Sequence, residues 1–437
     1  MFRNALNDLA AWQASPRRKP LILQGARQVG KTWLALEFGR THFQHVAHVV
    51  FLDNAPMKAV FEGSLAPDRL LTAIAAETGV PVGDENTLVV FDEIQECPRA
   101  ITALKLFCEQ APEVPVIAAG SLLGVALHEG VSFPVGKVDH LNLHPMTFEE
   151  FLIAVGEGGL VDLLKQRDTS LIDAFAERYT DLLKQYYFVG GMPEAVAEFA
   201  QSKDFAHVRA IQERLIFGYE HDFSKHAGGL LGERIREVWE SAPSQLAREN
   251  KKFVYSAVRP GGRARNFEEA IRRLVDAGLL TKVSRVSKPG LPLASYKDLT
   301  AFKLYLLDVG LLGAIIRLDA KTIIDGNRLF EEFKGALTEQ FVCQQLIATG
   351  KTHPFYWTAS NSSAEIDFIY DYENEVVPVE VKAGTNVKSR SLASFVEKYG
   401  ITRSVRLSLA GYRKQDWLEN VPLYAIGMLP DPPSIER

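Results

Sequence analysis

Cysteine is scarce in this chain, and the few cysteines present form no pattern. The 437 residues include three, Cys97, Cys108 and Cys343, and none has a second cysteine or a histidine at the spacing of a metal site. An odd, scattered set excludes a disulfide framework and a cysteine-based zinc site. We expect reduced, structural thiols, as is usual in a cytoplasmic protein.

Long apolar runs are also missing. The most apolar window, residues 114–127, has 14 residues and is interrupted by Pro115, Gly120 and Gly124, whereas a membrane-spanning helix needs about 20 apolar residues. The stretch MFRNALNDLAAWQASPRRKP at the N-terminus lacks the apolar core of a signal peptide. The sequence therefore predicts a soluble, cytoplasmic protein with no membrane partner.

Positive charge is not in excess either. The formal net charge is -5, so the chain as a whole does not attract nucleic acid, and such a partner would have to bind a local basic patch. A chain of 437 residues predicts several domains, since each typically has about 100–200 residues.

The first informative motif of the sequence is a loop bounded by two glycines, Gly25 and Gly30. A short apolar strand, residues 21–23, leads into GARQVGKT, which matches the phosphate loop G-x-x-x-x-G-K-[ST]. In such a loop the backbone N–H groups and the lysine contact phosphate oxygens, and the hydroxyl binds Mg²⁺. We predict that Thr32 is a Mg²⁺ ligand and that the ATP site consists of Gly25, Arg27, Gln28, Val29, Gly30, Lys31 and Thr32.

Two later strands end in polar residues. TLVVFDEIQECP is an apolar strand that ends in Asp92 and Glu93. A carboxylate in the position of Asp92 can bind Mg²⁺, and Glu93 is placed to orient or deprotonate the attacking water. The strand VPVIAAGS ends in Ser121, a candidate sensor of the γ-phosphate.

Strands that alternate with helices predict an α/β fold with a doubly wound parallel sheet. With the phosphate loop, the Asp–Glu pair and the polar strand end, this region resembles the AAA-type ATPases. The segments LNLHPMTFEEFL and YYFVGGMPEAV are similar to those of a bacterial and archaeal family in which such an ATPase is fused to an uncharacterised C-terminal region. Members usually have Gly-Arg where this chain has Gly136 and Lys137; as a finger on the γ-phosphate, a lysine lacks the planar fork of arginine.

The middle of the chain predicts helices and then a basic segment. Residues 156–240 have apolar positions at helical spacing, which indicates a helical lid. RNFEEAIRRLVDAGLLTKVSRV predicts a helix and a short hairpin, the order of a winged helix. Between residues 248 and 290, eleven basic residues against four acidic ones give a net charge of +7, a patch suited to DNA. Arg265, Arg272 and Arg273 are the candidate phosphate contacts. The alternative is a packing module whose charges only maintain solubility.

The stretch SAEIDFIYDYENEVVPVEVKAG predicts a hairpin whose turn is centred between residues 373 and 374. In that register Asp367 lies opposite Glu380 and Glu365 lies opposite Lys382, with all four side chains on one face. Because like charges destabilise a sheet when they face each other, Asp367 and Glu380 need a cation, and a divalent metal would serve. Glu339, on an apolar helical stripe upstream, would share the site.

This set resembles the PD-(D/E)xK nucleases, which carry a helix Glu, a strand Asp and Glu-x-Lys on the next strand. The resemblance implies a restriction-endonuclease-like α/β domain. It also implies Mg²⁺ or Mn²⁺ at Asp367 and Glu380, and catalytic roles for these residues, Glu339 and Lys382. Two alternatives stay open: a simple ion pair of Glu365 with Lys382, and a domain that has kept this fold without its chemistry.

The sequence thus predicts four regions: an ATPase core (1–155), a helical lid (156–240), a winged helix (241–300) and a nuclease-like domain (301–437). The favoured hypothesis is a Mg²⁺-dependent ATPase that handles DNA through the winged helix and cuts it at the C-terminal metal site. The competing hypothesis is an ATP-driven conformational switch whose nuclease-like domain only binds DNA or a protein partner. A homo-oligomer is compatible with both.

Overall fold

A computed structural model of the chain describes residues 1–120, 134–227, 229–248, 251–323, 331–350, 352–359, 364–385 and 389–429. The chain divides into two units, Met1–His144 with Asp276–Gly278, and Pro145–Val275 with Leu279–Arg437. Each unit has one sheet of its own. Within the described residues, no helix combines the length and apolar character needed to cross a lipid bilayer.

The first unit is a five-stranded parallel sheet with helices between its strands. Its strands are β1 (Leu21–Gln24), β2 (His45–Val50), β3 (Thr87–Asp92), β4 (Val116–Ala119) and β5 (Asp139–Asn142), and its helices are α1 (Ala5–Ala14), α2 (Lys31–His42), α3 (Ala55–Glu62), α4 (Pro67–Thr78) and α5 (Pro98–Gln110). The strand order is β2-β3-β4-β1-β5, with every neighbouring pair parallel. This confirms the predicted parallel α/β sheet.

Two interior strands of this sheet, β3 and β4, are buried along their whole length, which explains their continuous apolar sequences. One core is built from phenylalanines, because Phe61 packs edge-on against both Phe51 and Phe91, and Phe91 packs against Phe107. Aromatic pairs in this geometry add about 0.5–1.5 kcal/mol each beyond their buried area. The C-terminal end of β3 is therefore anchored in a rigid core.

The second unit combines helices with an eight-stranded mixed sheet. Its helices are α6 (Phe148–Ala154), α7 (Gly158–Gln166), α8 (Thr169–Ala174), α9 (Ala176–Val189), α10 (Pro193–Ser202), α11 (Phe205–Ala227), α12 (Gly229–Leu246), α13 (Tyr255–Val258), α14 (Ala264–Asp276), α15 (Val309–Ile315), α16 (Glu331–Ala348) and α17 (Arg390–Tyr399). Its strands are β6 (Leu280–Val286), β7 (Lys297–Leu306), β8 (Phe355–Thr358), β9 (Glu365–Tyr372), β10 (Glu375–Val381), β11 (Ser404–Ser408), β12 (Arg413–Lys414) and β13 (Leu418–Pro422). Their order is β12-β13-β11-β10-β9-β8-β6-β7.

The predicted helix and hairpin of the basic segment are present as α14, β6 and β7, but the hairpin is not a free wing. β6 pairs antiparallel with β7 and, on its other side, parallel with β8, so both strands belong to the eight-stranded sheet. The sequence interpretation missed this because the partner, β8, lies about 70 residues downstream and leaves no local signal. The predicted boundary at 300/301 falls inside β7. The finer division into four regions stays a prediction.

The predicted register of the C-terminal hairpin is confirmed where the two strands pair. Glu375 lies opposite Tyr372, and Val379 lies opposite Phe368. The regular pairing stops there, and beyond it Asp367 Oδ2 accepts a hydrogen bond from the Val381 N–H at 2.8 Å. Glu380 instead has Arg406 of the parallel strand β11 as its neighbour.

A buried carboxylate, Asp308, joins three separate segments of the second unit. It accepts hydrogen bonds from the N–H groups of Gly191 (2.5 Å) and Leu311 (3.0 Å) and from Gln344 Nε2 (3.1 Å). Gly190 has a φ of 72°, and a Cβ on it would overlap the Asp308 carboxylate, so only glycine fits there. Burial raises the pKa of Asp308 to about 6 despite these donors.

The same network continues to the segment that precedes α6. The Met146 N–H donates to the Gly191 carbonyl at 2.6 Å, and the Tyr186 hydroxyl donates to the Met146 carbonyl at 2.5 Å. Gln345 donates to the Tyr186 hydroxyl and accepts from the Phe148 N–H. The motifs LNLHPMTFEEFL and YYFVGGMPEAV are therefore held together by buried hydrogen bonds.

We expect Asp308→Ala to destabilise the second unit by about 3–5 kcal/mol, because it leaves several buried donors without an acceptor at about 1–3 kcal/mol each. Asp181→Ala is the matched control, since Asp181 forms an exposed ion pair with Lys184 and its loss should change stability by less than about 0.5 kcal/mol. Urea unfolding of the full chain, followed by circular dichroism, measures both. Equal losses in the two variants would contradict this account.

Candidate functional site

The loop between β1 and α2 has the geometry that its glycines predict. Gly25 has a φ of 144° and Gly30 a φ of 93°, a region that side chains disfavour. A Cβ on Gly25 would also overlap the Leu143 carbonyl oxygen. Val29 is buried and Arg27 and Gln28 are exposed. α2 begins at Lys31, so its N-terminal N–H groups adjoin the loop and favour bound phosphate.

Two elements of the first unit bring Thr32 and Asp92 together. Thr32 lies in the first turn of α2 and Asp92 is the last residue of β3. The Thr32 hydroxyl donates to Asp92 Oδ1 at 2.9 Å. Hard oxygen donors of this kind suit Mg²⁺, so these two residues fit the predicted metal position.

The charges around this pair perturb each other. Burial lowers the pKa of Lys31 to about 8, and the nearby carboxylates of Glu93 and Asp92 oppose that shift. Burial alone would raise the pKa of Asp92, but hydrogen bonds from His48 and Thr32 outweigh it and lower that pKa. Lys31 Nζ donates to the carbonyls of Gly25 (3.0 Å) and Ala26 (2.7 Å). The lysine ammonium and the two carboxylates thus share one site.

Three residues of this site were missed by the sequence interpretation. Arg3 is buried and donates to the Val29 carbonyl at 2.9 Å and to the His144 carbonyl at 2.6 Å, which ties the loop backbone to the residues after β5. His48 Nε2 lies 3.4 Å from Asp92 Oδ2, and Gln95 Nε2 donates to Glu93. A histidine within the apolar strand HVAHVV was a usable signal; Arg3 offered none.

The second unit contains a separate cluster of charges at the predicted nuclease-like site. Lys303, on β7, is fully buried, and its Nζ lies 2.5 Å from Glu365 Oε1 and 3.7 Å from Glu339 Oε2. Lys251 Nζ pairs with Glu339 Oε1, and the Tyr305 hydroxyl lies 3.3 Å from Glu339 Oε2. The structure therefore brings Glu339 to this face of the sheet, as predicted, but with two ammonium groups as its partners.

The alternative left open by the sequence, an ion pair of Glu365 with Lys382, is not formed between these two described residues. Glu365 pairs with Lys303, and Lys382 Nζ lies 2.9 Å from Glu380 Oε1. In the described parts of the chain, no group of three or more His, Cys, Asp or Glu side chains is placed to hold a metal ion. Glu339 and Glu365 have lysines from distant parts of the sequence as partners. The second carboxylate oxygen of Glu380 is buried and has no hydrogen-bond partner among the described residues. A metal at Asp367 and Glu380 stays a prediction.

The charges of this cluster shift the pKa values of one another. Burial works to raise the pKa of Glu339, but the ammonium groups of Lys303 and Lys251 outweigh it and lower that pKa. Burial, and then the charge of Glu339, raise the pKa of Asp367 to about 7. Burial alone would lower the pKa of Lys303, but Glu339, Glu365 and Asp367 raise it well above its ordinary value.

The candidate DNA contacts lie on α14, whose buried side packs through Phe267, Ile271 and Leu274. Arg265 is exposed. Arg272 and Arg273 both pair with Glu269. Other basic residues of the segment have partners outside it: Arg259 with Glu233 and Glu237, Arg285 with Asp298, and Lys251 with Glu339. The local positive field is thus weaker than the count of +7 over residues 248–290 suggests.

Three family models match successive parts of the chain. A model described as an AAA domain matches residues 17–152. Residues 180–322 and 334–426 match two domains of unknown function, DUF8612 and DUF4143. The N-terminal unit therefore contains an AAA-type P-loop ATPase domain. No curated protein matched the chain.

Solved structures give more distant similarities. A Walker-type ATPase of Pyrococcus abyssi is 14% identical, over 72% of this chain and 95% of that chain, with a TM-score of 0.43. The RuvB Holliday junction branch migration motor of Thermotoga maritima is 16% identical (64% and 89%, TM-score 0.32). The Orc1 protein of Aeropyrum pernix, in complex with DNA, is 14% identical (73% and 93%, TM-score 0.28). Since these TM-scores are below 0.5, the assignment of the AAA domain depends on the family match.

Two further predictions concern the AAA domain. Ser121, the candidate γ-phosphate sensor, lies outside the described residues. Lys137, at the usual arginine position, pairs with Glu109 at 2.9 Å and is partly exposed. A contact between Lys137 and a γ-phosphate stays a prediction.

We expect Lys303→Met to destabilise the second unit by about 3–5 kcal/mol at pH 7, because it leaves carboxylates buried without their cation. Without the ammonium, folding raises the pKa values of those carboxyls, so the folded state binds more protons and the variant recovers stability as pH falls. Urea unfolding at pH 5 and pH 8 measures the difference. Lys297→Met, at an exposed position of β7, is the control and should show neither effect; a Lys303→Met deficit independent of pH would contradict the charge argument.

Proposed function

We propose that this protein is an ATP-driven conformational switch: the AAA domain binds and hydrolyses ATP, and the second unit engages DNA without cutting it. The observation that carries the ATPase part is the hydrogen bond of Thr32 to Asp92 beside Lys31. Lys31 and Thr32 open the helix after β1, Asp92 ends β3, and each group is of the type that contacts ATP phosphates or their metal.

The residues of the AAA domain have separate roles in this proposal. The backbone of the loop 25–30 cradles the phosphates, and Lys31 contacts their terminal oxygens. Thr32 and Asp92 would hold Mg²⁺, which supplies neutralisation of phosphate charge when bound. Glu93 accepts the proton of the attacking water or orients that water. Arg3 holds the loop carbonyl of Val29, so it acts by positioning.

We expect Lys31→Ala and Thr32→Ala each to lower the rate of ATP hydrolysis by about 10²-fold or more, since each removes a preorganised charge contact. Phosphate release in excess ATP measures this. Lys165→Ala is the control, because Lys165 lies on α7 in the second unit and should leave hydrolysis unchanged. ATP turnover by Lys31→Ala at the wild-type rate would show that the hydrolysis arises elsewhere.

The charge cluster around Glu339 supports the proposal that the second unit binds DNA without cleaving it. A nuclease centre needs a position for its metal, and here Lys303 and Lys251 provide the positive charge beside the carboxylates. Glu380 already has Lys382 as its partner. A second candidate function is a metal-dependent nuclease. It is supported by the positions of Asp367 on β9, Glu380 on β10 and Lys382 directly after β10, the arrangement that resembles the PD-(D/E)xK nucleases.

DNA as the partner is supported by three arginines of α14, of which Arg265 and Arg272 are exposed and Arg273 is half-buried. Arg272 and Arg273 bind the same carboxylate, Glu269, so a DNA phosphate has to compete with it. We therefore expect moderate affinity with a strong dependence on salt, because phosphate contacts release counterions.

A supercoiled plasmid with Mg²⁺ or Mn²⁺, with and without ATP, tests both parts on one sample. We expect a mobility shift and no nicking by wild type or by Lys382→Ala. Arg265→Ala/Arg272→Ala should weaken binding and reduce the slope of log affinity against log salt by about 2. Arg214→Ala, an exposed position on α11, should not. Nicking by wild type but not by Lys382→Ala would establish the nuclease instead, and absence of any shift would remove DNA as the partner.

A further inference from the structure

A buried side chain next to the Asp–Glu pair has no role in the account so far. Gln95 lies in the short helical turn Ile94–Glu96 that follows β3, and only 8% of it is exposed. Its amide nitrogen donates a hydrogen bond to Glu93 Oε2. A polar side chain buried at a strand end is expensive unless its hydrogen bonds are made, and this one makes a bond to the carboxylate assigned as the base.

Glu93 is the first residue after β3, and its backbone no longer has the extended conformation of the strand. It has a φ of 51°, a left-handed conformation that residues other than glycine seldom adopt. A glutamate side chain has several staggered rotamers, so a hydrogen-bond partner is needed to favour one of them. The bond from Gln95 selects the orientation in which the carboxylate is near Lys31, whose pKa it affects.

The other end of the Gln95 amide lies close to the residue that follows the neighbouring strand. Gly120 follows β4 directly, and a Cβ added there would lie 2.6 Å from Gln95 Oε1 and 3.0 Å from Ile94 Cγ2. The absence of a side chain at residue 120 therefore leaves the room that the Gln95 amide occupies. β4 lies between β3 and β1 in the sheet, so Gln95 joins the end of the central strand to the catalytic carboxylate.

We propose that Gln95 is a positioning residue for ATP hydrolysis, which holds the Glu93 carboxylate in its working orientation and is itself held against Gly120. This inference rests on the proposed ATPase function. Gln95 touches neither nucleotide nor metal in this scheme, so its loss changes the orientation of the base and leaves the phosphate contacts of Lys31 and Thr32 in place. A small misplacement of a reacting group lowers a rate by about 10²-fold.

The test compares kcat with the affinity for ATP. Gln95→Met keeps the volume of the side chain and removes its donor. We expect kcat to fall about 10- to 100-fold, with the dissociation constant of a fluorescent ATP analogue unchanged within about twofold and thermal unfolding unchanged. A merely structural residue would change unfolding or nucleotide affinity along with the rate.

Two further variants make the test specific. Gly120→Ala should reproduce the loss of kcat, because its methyl group displaces the Gln95 amide, and it should add no further loss to Gln95→Met. In a Glu93→Gln background, Gln95→Met should have no effect on the residual rate, since a residue that acts through Glu93 has nothing left to orient.

The outcomes separate this inference from the proposed function. Absence of ATP hydrolysis by wild type would remove the proposed function itself. Hydrolysis by wild type with an unchanged or increased kcat in Gln95→Met would overturn the inference, as would additive losses in the Glu93→Gln background.

Discussion

The second unit depends on one buried carboxylate and the donors around it. Asp308 receives hydrogen bonds from the segment after α9, from the first turn of α15 and from Gln344 of α16. Because buried donors that lose an acceptor are costly, these three segments can only move together or not at all. Packing and buried hydrogen bonds thereby explain the two motifs, around residues 145 and 190, that carried the family resemblance at the sequence level.

The two charged sites of the molecule follow different rules. In the AAA domain, an ammonium and two carboxylates lie beside a glycine-bounded loop and the N-terminus of α2, and the proposed function has phosphate and metal complete this site. In the second unit, the charges of Glu339 and Glu365 are balanced by lysines of the same chain. Buried charges of this kind are tolerated only when each of them has a partner. Since Glu339 and Glu365 already have lysine partners, an added cation would stabilise these two carboxylates little.

What the sequence could predict is set by the distance along the chain over which the interactions act. The phosphate loop, the strand that ends in Asp92 and the register of the hairpin at residues 373 and 374 depend on neighbours within about ten residues, and motif and alternation were enough for them. Lys303 and Lys251 reach Glu339 from 36 and 88 residues away, and no local pattern indicates such a pairing. The pairing of β6 with β8 was missed for the same reason, because β8 is remote in sequence from the predicted hairpin.

One local signal was overlooked. Lys303 is a charged residue in the apolar strand KLYLL, just as Glu380 and Lys382 are charged residues in an apolar run.

The position of β6 has a practical consequence. This strand is bonded to β7 on one side and to β8 on the other, so the chain on either side of residue 300 shares one continuous ladder. Recombinant fragments divided there would each have an exposed edge strand, with unpaired N–H and C=O groups flanked by apolar side chains. Edges of that kind recruit other chains and lead to aggregation. The basic helix and the C-terminal region are therefore best expressed, purified and assayed as a single piece.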